Sequence, residues 1–339
     1  MLKLLLEKID YSISKLELNL SDKIVLTEAA TGNYMCTAII ADKAGAKRVY
    51  ALAKDSIYGT IDDIKREYKE YFLLNRDSNI VIIDSLDEIK EKVDIITNSG
   101  FIRPINEEVL KYTHKNSVIT LMYEPWEFRE GDIDLELVYK KGLKVYGVNE
   151  HNEKLRIMDY IGITVLYLLL DLKISHFSNR EILVLGTYDF TEPIERTLKK
   201  NGYKVTMIND YKESIDINRY DIFVVAEHQI DREVIGNSKD AFIKTSDILD
   251  DKVVIHISGN VDFNGASFLH LPSKPAPFGY MSYRTDFIDN MAVIDLQTGS
   301  LKVAEGMLEA NRLNLKGREY KDFVEQNYYG LAFRDEKYW

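Results

Sequence analysis

The stretch EILVLGTYDFTEPIERTLKKNGYKVTMIND, residues 181–210, decides the fold. It opens with the apolar run Ile182, Leu183, Val184 and Leu185, which ends at Gly186. A polar turn follows, then a helical pattern over residues 191–201, then a second apolar strand that stops at Asn209 and Asp210. Strand, turn, helix and strand in that order make the first half of a dinucleotide-binding unit. In such a unit the turn meets a pyrophosphate, and an acidic residue at the end of the second strand meets a ribose. The glycine fingerprint of the turn is G-x-G-x-x-G. This chain has Gly186, then Tyr188 and Thr191 at the other two glycine positions. Gly186, Thr187, Tyr188, Asp189 and Asp210 are therefore the cofactor candidates of this stretch.

Two readings of the turn stand side by side. Free N–H groups where the helix starts, near Thr191 and Ile194, suit an anion through the helix dipole. Against this, Pro193 donates no N–H, Glu192 adds a negative charge, and Tyr188 has bulk where backbone should approach closely. The ordinary reading is a plain turn with Thr191 as N-cap and Pro193 in the first helical turn.

The same rhythm extends in both directions. Downstream, strand patterns begin at Asp221 (DIFVVA), Val253 (VVIHIS), Phe268 (FLHL) and Ala292 (AVIDL), followed by a helix over 300–312. Upstream, residues 152–172 read as one long helix, apolar on several faces in its second half, the pattern of a helix sandwiched between packed units. Before it, strand patterns begin at Lys23, Arg48, Asn79, Asp94, Ser117 and Leu143, with helix patterns at 34–44, 60–72, 86–92, 106–112 and 134–141 between them. Strands alternating with amphipathic helices predict parallel sheets wrapped by helices. Residues 1–20 suggest a short helix and a strand. The aromatic and charged tail is expected to fold back on a domain or a partner subunit.

A chain of 339 residues suggests two domains. The net charge of −11 argues against nucleic acid as a partner, because phosphate backbones need a basic face. The single cysteine, Cys36, allows no intramolecular disulfide and suits a reducing compartment. The most apolar helix pattern, 160–170, is too short to span a bilayer. The first residues do not read as a signal peptide. A cytoplasmic protein with no membrane partner is expected.

Residues 94–172 carry a recognisable pattern. Ile105 to Leu110 reads as a helix, Val118 to Tyr123 as an apolar strand, and Gly131, Asp132, Ile133, Asp134 and Leu135 as a loop into a helix start. Leu143 to Val148 forms a further strand before the long helix. This order resembles the NAD-dependent D-2-hydroxyacid dehydrogenases of the formate/glycerate dehydrogenase superfamily. The resemblance implies two Rossmann/flavodoxin-like α/β domains with parallel sheets, joined by long interdomain helices and separated by a cleft. The substrate-side domain would be 1–150, completed by the tail 314–339. Residues 151–177 would be the interdomain helix and linker, and 178–313 the Rossmann-type domain. NAD or NADP as cofactor, a small carbonyl or hydroxy-acid substrate in the cleft, and a homodimer are implied in the same way. Where that family carries an arginine after the strand corresponding to VVIHIS, this chain reads His256-Ile257-Ser258-Gly259-Asn260. Ser258 and Gly259 join the cofactor candidates.

The catalytic candidates are His256, His228 and Glu28. A neutral imidazole at a strand end suits general-base chemistry near pH 7; the alternative is a satisfied, half-buried histidine. Glu28 belongs to the first strand-to-helix junction, Thr27 to Gly32 and Asn33, at a strand end where open α/β sheets bind ligands. That junction also admits a methyl-donor site for S-adenosylmethionine, with Gly32 in the turn and Asp55 closing the next strand; the ordinary reading is a capped helix. Asn33, Asn98, Arg103 and Trp126 are substrate candidates: Arg103 for two-point binding of a carboxylate, Trp126 as a cleft wall or a packing anchor. Cys36 reads as a core residue. No metal-ligand spacing is present. Three functions follow: an NAD(P)-dependent oxidoreductase, a non-redox relative that binds a small molecule or a protein partner, and a methyltransferase-like protein.

Overall fold

The structure is a computed structural model that describes residues 2–212 and 215–335. The chain divides into two compact units, Met1–Ile157 with Met291–Trp339, and Met158–Asn290. The first runs α1 (Leu2–Leu16), β1 (Ile24–Glu28), α2 (Cys36–Lys43), β2 (Arg48–Leu52), α3 (Ile61–Leu74), β3 (Ile80–Ile83), β4 (Val93–Thr97), α4 (Glu107–Leu110), β5 (Thr113–Thr120), α5 (Leu135–Lys140) and β6 (Lys144–Val148). The second unit holds α6 (Asp159–Asp171), β7 (Glu181–Gly186), α7 (Tyr188–Lys200), β8 (Lys204–Ile208), β9 (Ile222–Ala226), β10 (Glu233–Gly236), β11 (Ile243–Lys244), β12 (Val253–Ser258), β13 (Asn260–Val261) and β14 (Leu269–Leu271). The chain then returns to the first unit with α8 (Met291–Arg312), α9 (Gly317–Tyr328) and β15 (Gly330–Ala332).

The first unit is built on a seven-stranded sheet in the order β15-β6-β5-β4-β1-β2-β3. Its neighbours pair parallel except β15, which runs antiparallel to β6. Local signals start its helices. Thr60 accepts from the Asp63 N–H and Asp63 reaches back to the Thr60 N–H, a capping box in which the cap alone is worth about 1 kcal/mol. The chain moves outward from β1 to β3, then resumes at β4 on the other side of β1. That reversal makes the carboxyl ends of β1 and β4 the place where such sheets hold ligands.

The second unit has a parallel sheet in the order β14-β12-β9-β7-β8 and a small sheet, β11-β10-β13. Alternation along its strands sorts the core into two faces. Ile182, Val184, Ile222 and Val224 meet the α6 and α7 side chains Val165, Ile194 and Leu198. Leu183, Leu185, Phe223 and Val225 pack with Tyr211, Tyr220, Val234 and Ile243. One face is thus covered by helices and the other by connecting segments and the small sheet. The reversal of strand order falls between β7 and β9.

Several elements depart from the sequence expectations. AVIDL, expected as a strand, is the start of the 22-residue helix α8; a short apolar run does not distinguish a buried strand from a buried helix. This helix groups with the first unit, not with the second domain as expected. The helix expected over 152–172 begins only at Asp159. Asn149 and Asn152 turn their side chains onto the N–H groups of His151 and Lys154, and Arg156 is left-handed, so local side-chain bonds displace the helix there. Residues 86–92 form only a short 3-10 turn, Leu86–Glu88. Residues 2–16 are helical throughout, with no strand after them. The tail supplies α9 and the edge strand β15; its residues 336–339 lie outside the described ones.

Candidate functional site

At the carboxyl ends of β7, β9 and β12 the chain brings together Gly186, Thr187, Ser258, Gly259 and a residue the sequence reading passed over, Glu227. Gly186 is required: its φ is +149°, and a Cβ there would lie 2.1 Å from the Ala226 carbonyl oxygen. Glu227 follows Ala226 and is 1% exposed. Its Oε1 accepts from the Thr187 hydroxyl and from the N–H groups of Gln229 at 2.9 Å and Ile230 at 3.0 Å. Its Oε2 accepts from the Tyr211 hydroxyl at 2.8 Å. All four partners are donors, the set a carboxylate accepts.

Helix α7 starts at Tyr188, earlier than expected, so Thr187 takes the cap position, without a side-chain cap bond. Thr191 is a buried helical residue whose hydroxyl accepts from Asn209 Nδ2 at 2.7 Å, and the same nitrogen reaches the Gly186 carbonyl at 2.6 Å. Tyr188 is 58% exposed. Asp189 lies in the first turn of α7 and accepts from Gln229 at 3.4 Å. Asp210 caps its own turn through the Lys212 N–H. The next residue, Tyr211, is buried, with the Arg232 guanidinium 5.4 Å from its ring.

On its β9 side this turn is an acidic setting for a dinucleotide, while the Ser258 hydroxyl beside it has no partner among the described residues. Pyrophosphate at this turn needs uncommitted donors and a positive local field. Here the donors of the β9 loop are held by Glu227, and Asp189 adds a second carboxylate at the helix start.

His256 and His228 sit apart from any general-base geometry. His256 is fully buried in β12. Its Nε2–H donates to the Gly259 carbonyl at 3.0 Å, and its Nδ1 accepts from the Ser282 hydroxyl at 2.6 Å. Burial pushes its pKa down to about 4. The Nδ1 bond ties the 276–282 loop to the sheet, as the Ala276 N–H also donates to Ser282, while the Nε2–H bond holds the turn at Gly259. His228 stacks on Phe190, with ring centroids 4.0 Å apart.

In the first unit the ends of β1 and β4 assemble a different group. Glu28 is 8% exposed and accepts from the Phe101 N–H at 3.0 Å. Burial pushes its carboxyl above the ordinary range, while the Phe101 and Gly100 N–H groups and the Arg103 guanidinium pull it down. Asn98 is 1% exposed; its Oδ1 accepts from Met122 N–H at 2.7 Å and its Nδ2 has no partner among the described residues. Such a buried donor costs about 1–3 kcal/mol unless a ligand or water meets it. Arg103 binds Asp132 through one guanidinium nitrogen at 3.0 Å. Thr27, Thr97 and Ser99 form a hydroxyl cluster beneath, with Thr97 donating to Thr27 at 2.8 Å.

The remaining candidates are placed as follows. Asn33 lies half-buried in the short turn Gly32–Met35. The Gly32 N–H donates to Glu67, and the Asp55 carboxylate takes the Ile61 N–H at the start of α3, so both methyl-donor features are committed inside the fold. Cys36 is buried, its thiol pushed up to about 12, an inert core residue. Trp126 is 47% exposed and its Nε1 donates to Glu124 at 2.6 Å. It belongs with an acidic group at the ends of β5 and β6, which sequence reasoning missed. There Glu150 is held well above the carboxylate range, first by burial and then by Glu127 and Glu124. Among the described residues no cluster is arranged to hold a metal ion, and no helix is long and apolar enough to cross a membrane.

Comparison with solved structures finds several chains of similar fold. A dipicolinate synthase chain from Bacillus halodurans superposes with a TM-score of 0.52 at 14% identity, over 83% of this chain and 96% of that one. An NAD-complexed D-isomer specific 2-hydroxyacid dehydrogenase from Lactobacillus delbrueckii ssp. bulgaricus gives 0.48 at 11% identity, over 87% and 99%. A D-lactate dehydrogenase from Treponema pallidum gives 0.45 at 8%, over 87% and 98%. No protein-family model and no curated protein matches the sequence. At these identities the likeness is one of fold: this chain has a two-unit α/β architecture.

Proposed function

We propose that this protein is a non-redox relative of the dehydrogenases, binding a small carbonyl or hydroxy-acid molecule at the carboxyl ends of β1 and β4. Glu227 carries the reading. Its carboxylate takes the Thr187, Gln229 and Ile230 donors at the reversal point where a dinucleotide's pyrophosphate belongs. In the first unit, Asn98 keeps an unmatched amide donor and Arg103 keeps guanidinium nitrogens beyond the one on Asp132. An amide donor for a carbonyl and a guanidinium for a carboxylate are the contacts a small oxo or hydroxy acid needs. The raised Glu28 carboxyl supplies a group able to give or take a proton beside them.

A thermal melt decides between this reading and the oxidoreductase one, which the fold likeness and the left-handed Gly186 favour. Millimolar NAD, NADH, NADPH and S-adenosylhomocysteine are expected to leave the midpoint unchanged. Pyruvate or glyoxylate is expected to raise it in the parent and not in an Arg103→Ala variant. A rise with NADH or NADPH restores the oxidoreductase reading.

A further inference from the structure

A cavity of about 540 Å³ opens in the second unit, beyond the carboxyl ends of β12 and β14. Its walls include Phe263, His270, Lys274 and Phe278. The His270 ring lies 4.7 Å from that of Phe263, tilted by 41°, and its Nδ1–H donates to the Pro272 carbonyl at 3.0 Å. The ring is thereby fixed in place as part of an aromatic wall. Lys274, four residues on, is exposed and makes no ion pair among the described residues.

The other charged group in the lining is Asp262. Its Oδ2 accepts from Asn237 Nδ2 at 3.0 Å and its Oδ1 from the Asn264 N–H at 3.0 Å, so both oxygens are committed to the wall. Asn260, also in the lining, is committed to Asp231 at 3.2 Å. What the cavity still offers is one cation and a set of ring and proline surfaces, from Phe263, His270, Phe278, Pro275 and Pro277. One cation and one fixed anion in the lining favour a singly charged ligand over a dianion, because the second charge would be repelled by Asp262. Ring faces favour a flat apolar body over an alkyl chain.

We infer that this cavity is a binding site for a small aromatic monocarboxylate, its carboxylate on Lys274 and its ring against Phe263, His270 and Phe278. This is independent of the first-unit site and of whether the β7 turn takes a nucleotide.

The test titrates the full-length protein with benzoate, benzamide and acetate, read by saturation-transfer NMR and calorimetry. Benzoate is expected to bind in the millimolar range. Benzamide, which keeps the ring and loses the charge, and acetate, which keeps the charge and loses the ring, are each expected to bind at least fivefold more weakly. Lys274→Gln, a change at an exposed position that leaves the fold intact, is expected to weaken benzoate about tenfold and leave benzamide unchanged. Arg103→Ala, in the first unit, is expected to leave benzoate binding intact. Acetate binding as well as benzoate to the Arg103→Ala variant, unchanged benzoate affinity in Lys274→Gln, or loss of benzoate in Arg103→Ala would each overturn the assignment.

Discussion

Removing the Glu227 side chain is expected to destabilise the second unit in a way that separates its two oxygens. In Glu227→Ala four donors lose their acceptor: the Thr187 and Tyr211 hydroxyls and the N–H groups of Gln229 and Ile230. A hydrogen bond to a charged group contributes about 1.5–3 kcal/mol. Thr187, Gln229 and Ile230 are not fully buried and can recover water, whereas Tyr211 is 8% exposed and cannot. The expected loss is therefore about 3 kcal/mol, well short of four full bonds. Glu227→Gln keeps an oxygen for the three donors on the Oε1 side. Its new NH₂ meets the Tyr211 hydroxyl, which can rotate to accept, so the loss falls to about 1 kcal/mol. Neither tryptophan, Trp126 nor Trp339, lies in residues 158–290, so tryptophan fluorescence does not report on this unit. Urea unfolding followed by far-UV circular dichroism, with hydrogen exchange of peptides covering 182–230, is the appropriate assay. Alanine and glutamine variants of equal stability, both within about 0.5 kcal/mol of the parent, would falsify the claim that Glu227 is the acceptor holding this turn together.

Three further outcomes follow from the geometry. Gly162→Ala places a Cβ 2.3 Å from the Pro193 carbonyl oxygen, and forcing α6 from α7 is expected to cost about 3 kcal/mol in a urea titration. His256, with its pKa lowered from 6.5 to about 4, stays neutral in the folded state while the unfolded chain takes up a proton. Stability from this group is whole above pH 6.5 and falls by about 3 kcal/mol as pH drops to 4; a His256→Gln variant should lack that slope. Glu150, raised well above the carboxylate range, binds its proton more tightly folded than unfolded, so stability falls as pH rises. Glu150→Gln is expected to flatten the fall that sets in as pH rises above the ordinary carboxylate range, and an unchanged profile would show that the acidic group carries no such linkage.

The architecture was legible because its signal is local. Ile182, Val184, Ile222 and Val224 alternate with Leu183, Leu185, Phe223 and Val225 along β7 and β9, and apolar runs bounded by polar turns show that directly. The errors fell where two local signals compete. Pro193 reads as a first-turn residue, which moved the expected start of α7 to Thr191, yet the helix begins at Tyr188 and carries the proline inside. AVIDL satisfies a strand template as well as a helix template, and only the packing of α8, with Gly299 against Leu155 and Gly306 against Tyr328, settles it.

The chemistry was less legible because the deciding partners are distant in sequence. Gly186 and Thr187 were readable as a turn; that Glu227, forty residues on, takes the Thr187 hydroxyl depends on the pairing of β7 with β9. The same device recurs at other strand ends. Glu28 takes the Phe101 N–H, Glu124 takes the Glu150 N–H while Glu127 takes the Glu124 N–H, and Glu227 takes those of Gln229 and Ile230. Backbone N–H groups beyond the carboxyl ends of parallel strands are the donors with which open α/β sheets hold anions. Each one met by an internal carboxylate is lost to a phosphate twice over, as a donor and through repulsion. A chain of net charge −11 that arranges its acids in this way retains side chains, not backbone, for ligands. On the function and the second site proposed above, Arg103 and Asn98 in one unit and Lys274 in the other are the groups assigned to a small anion.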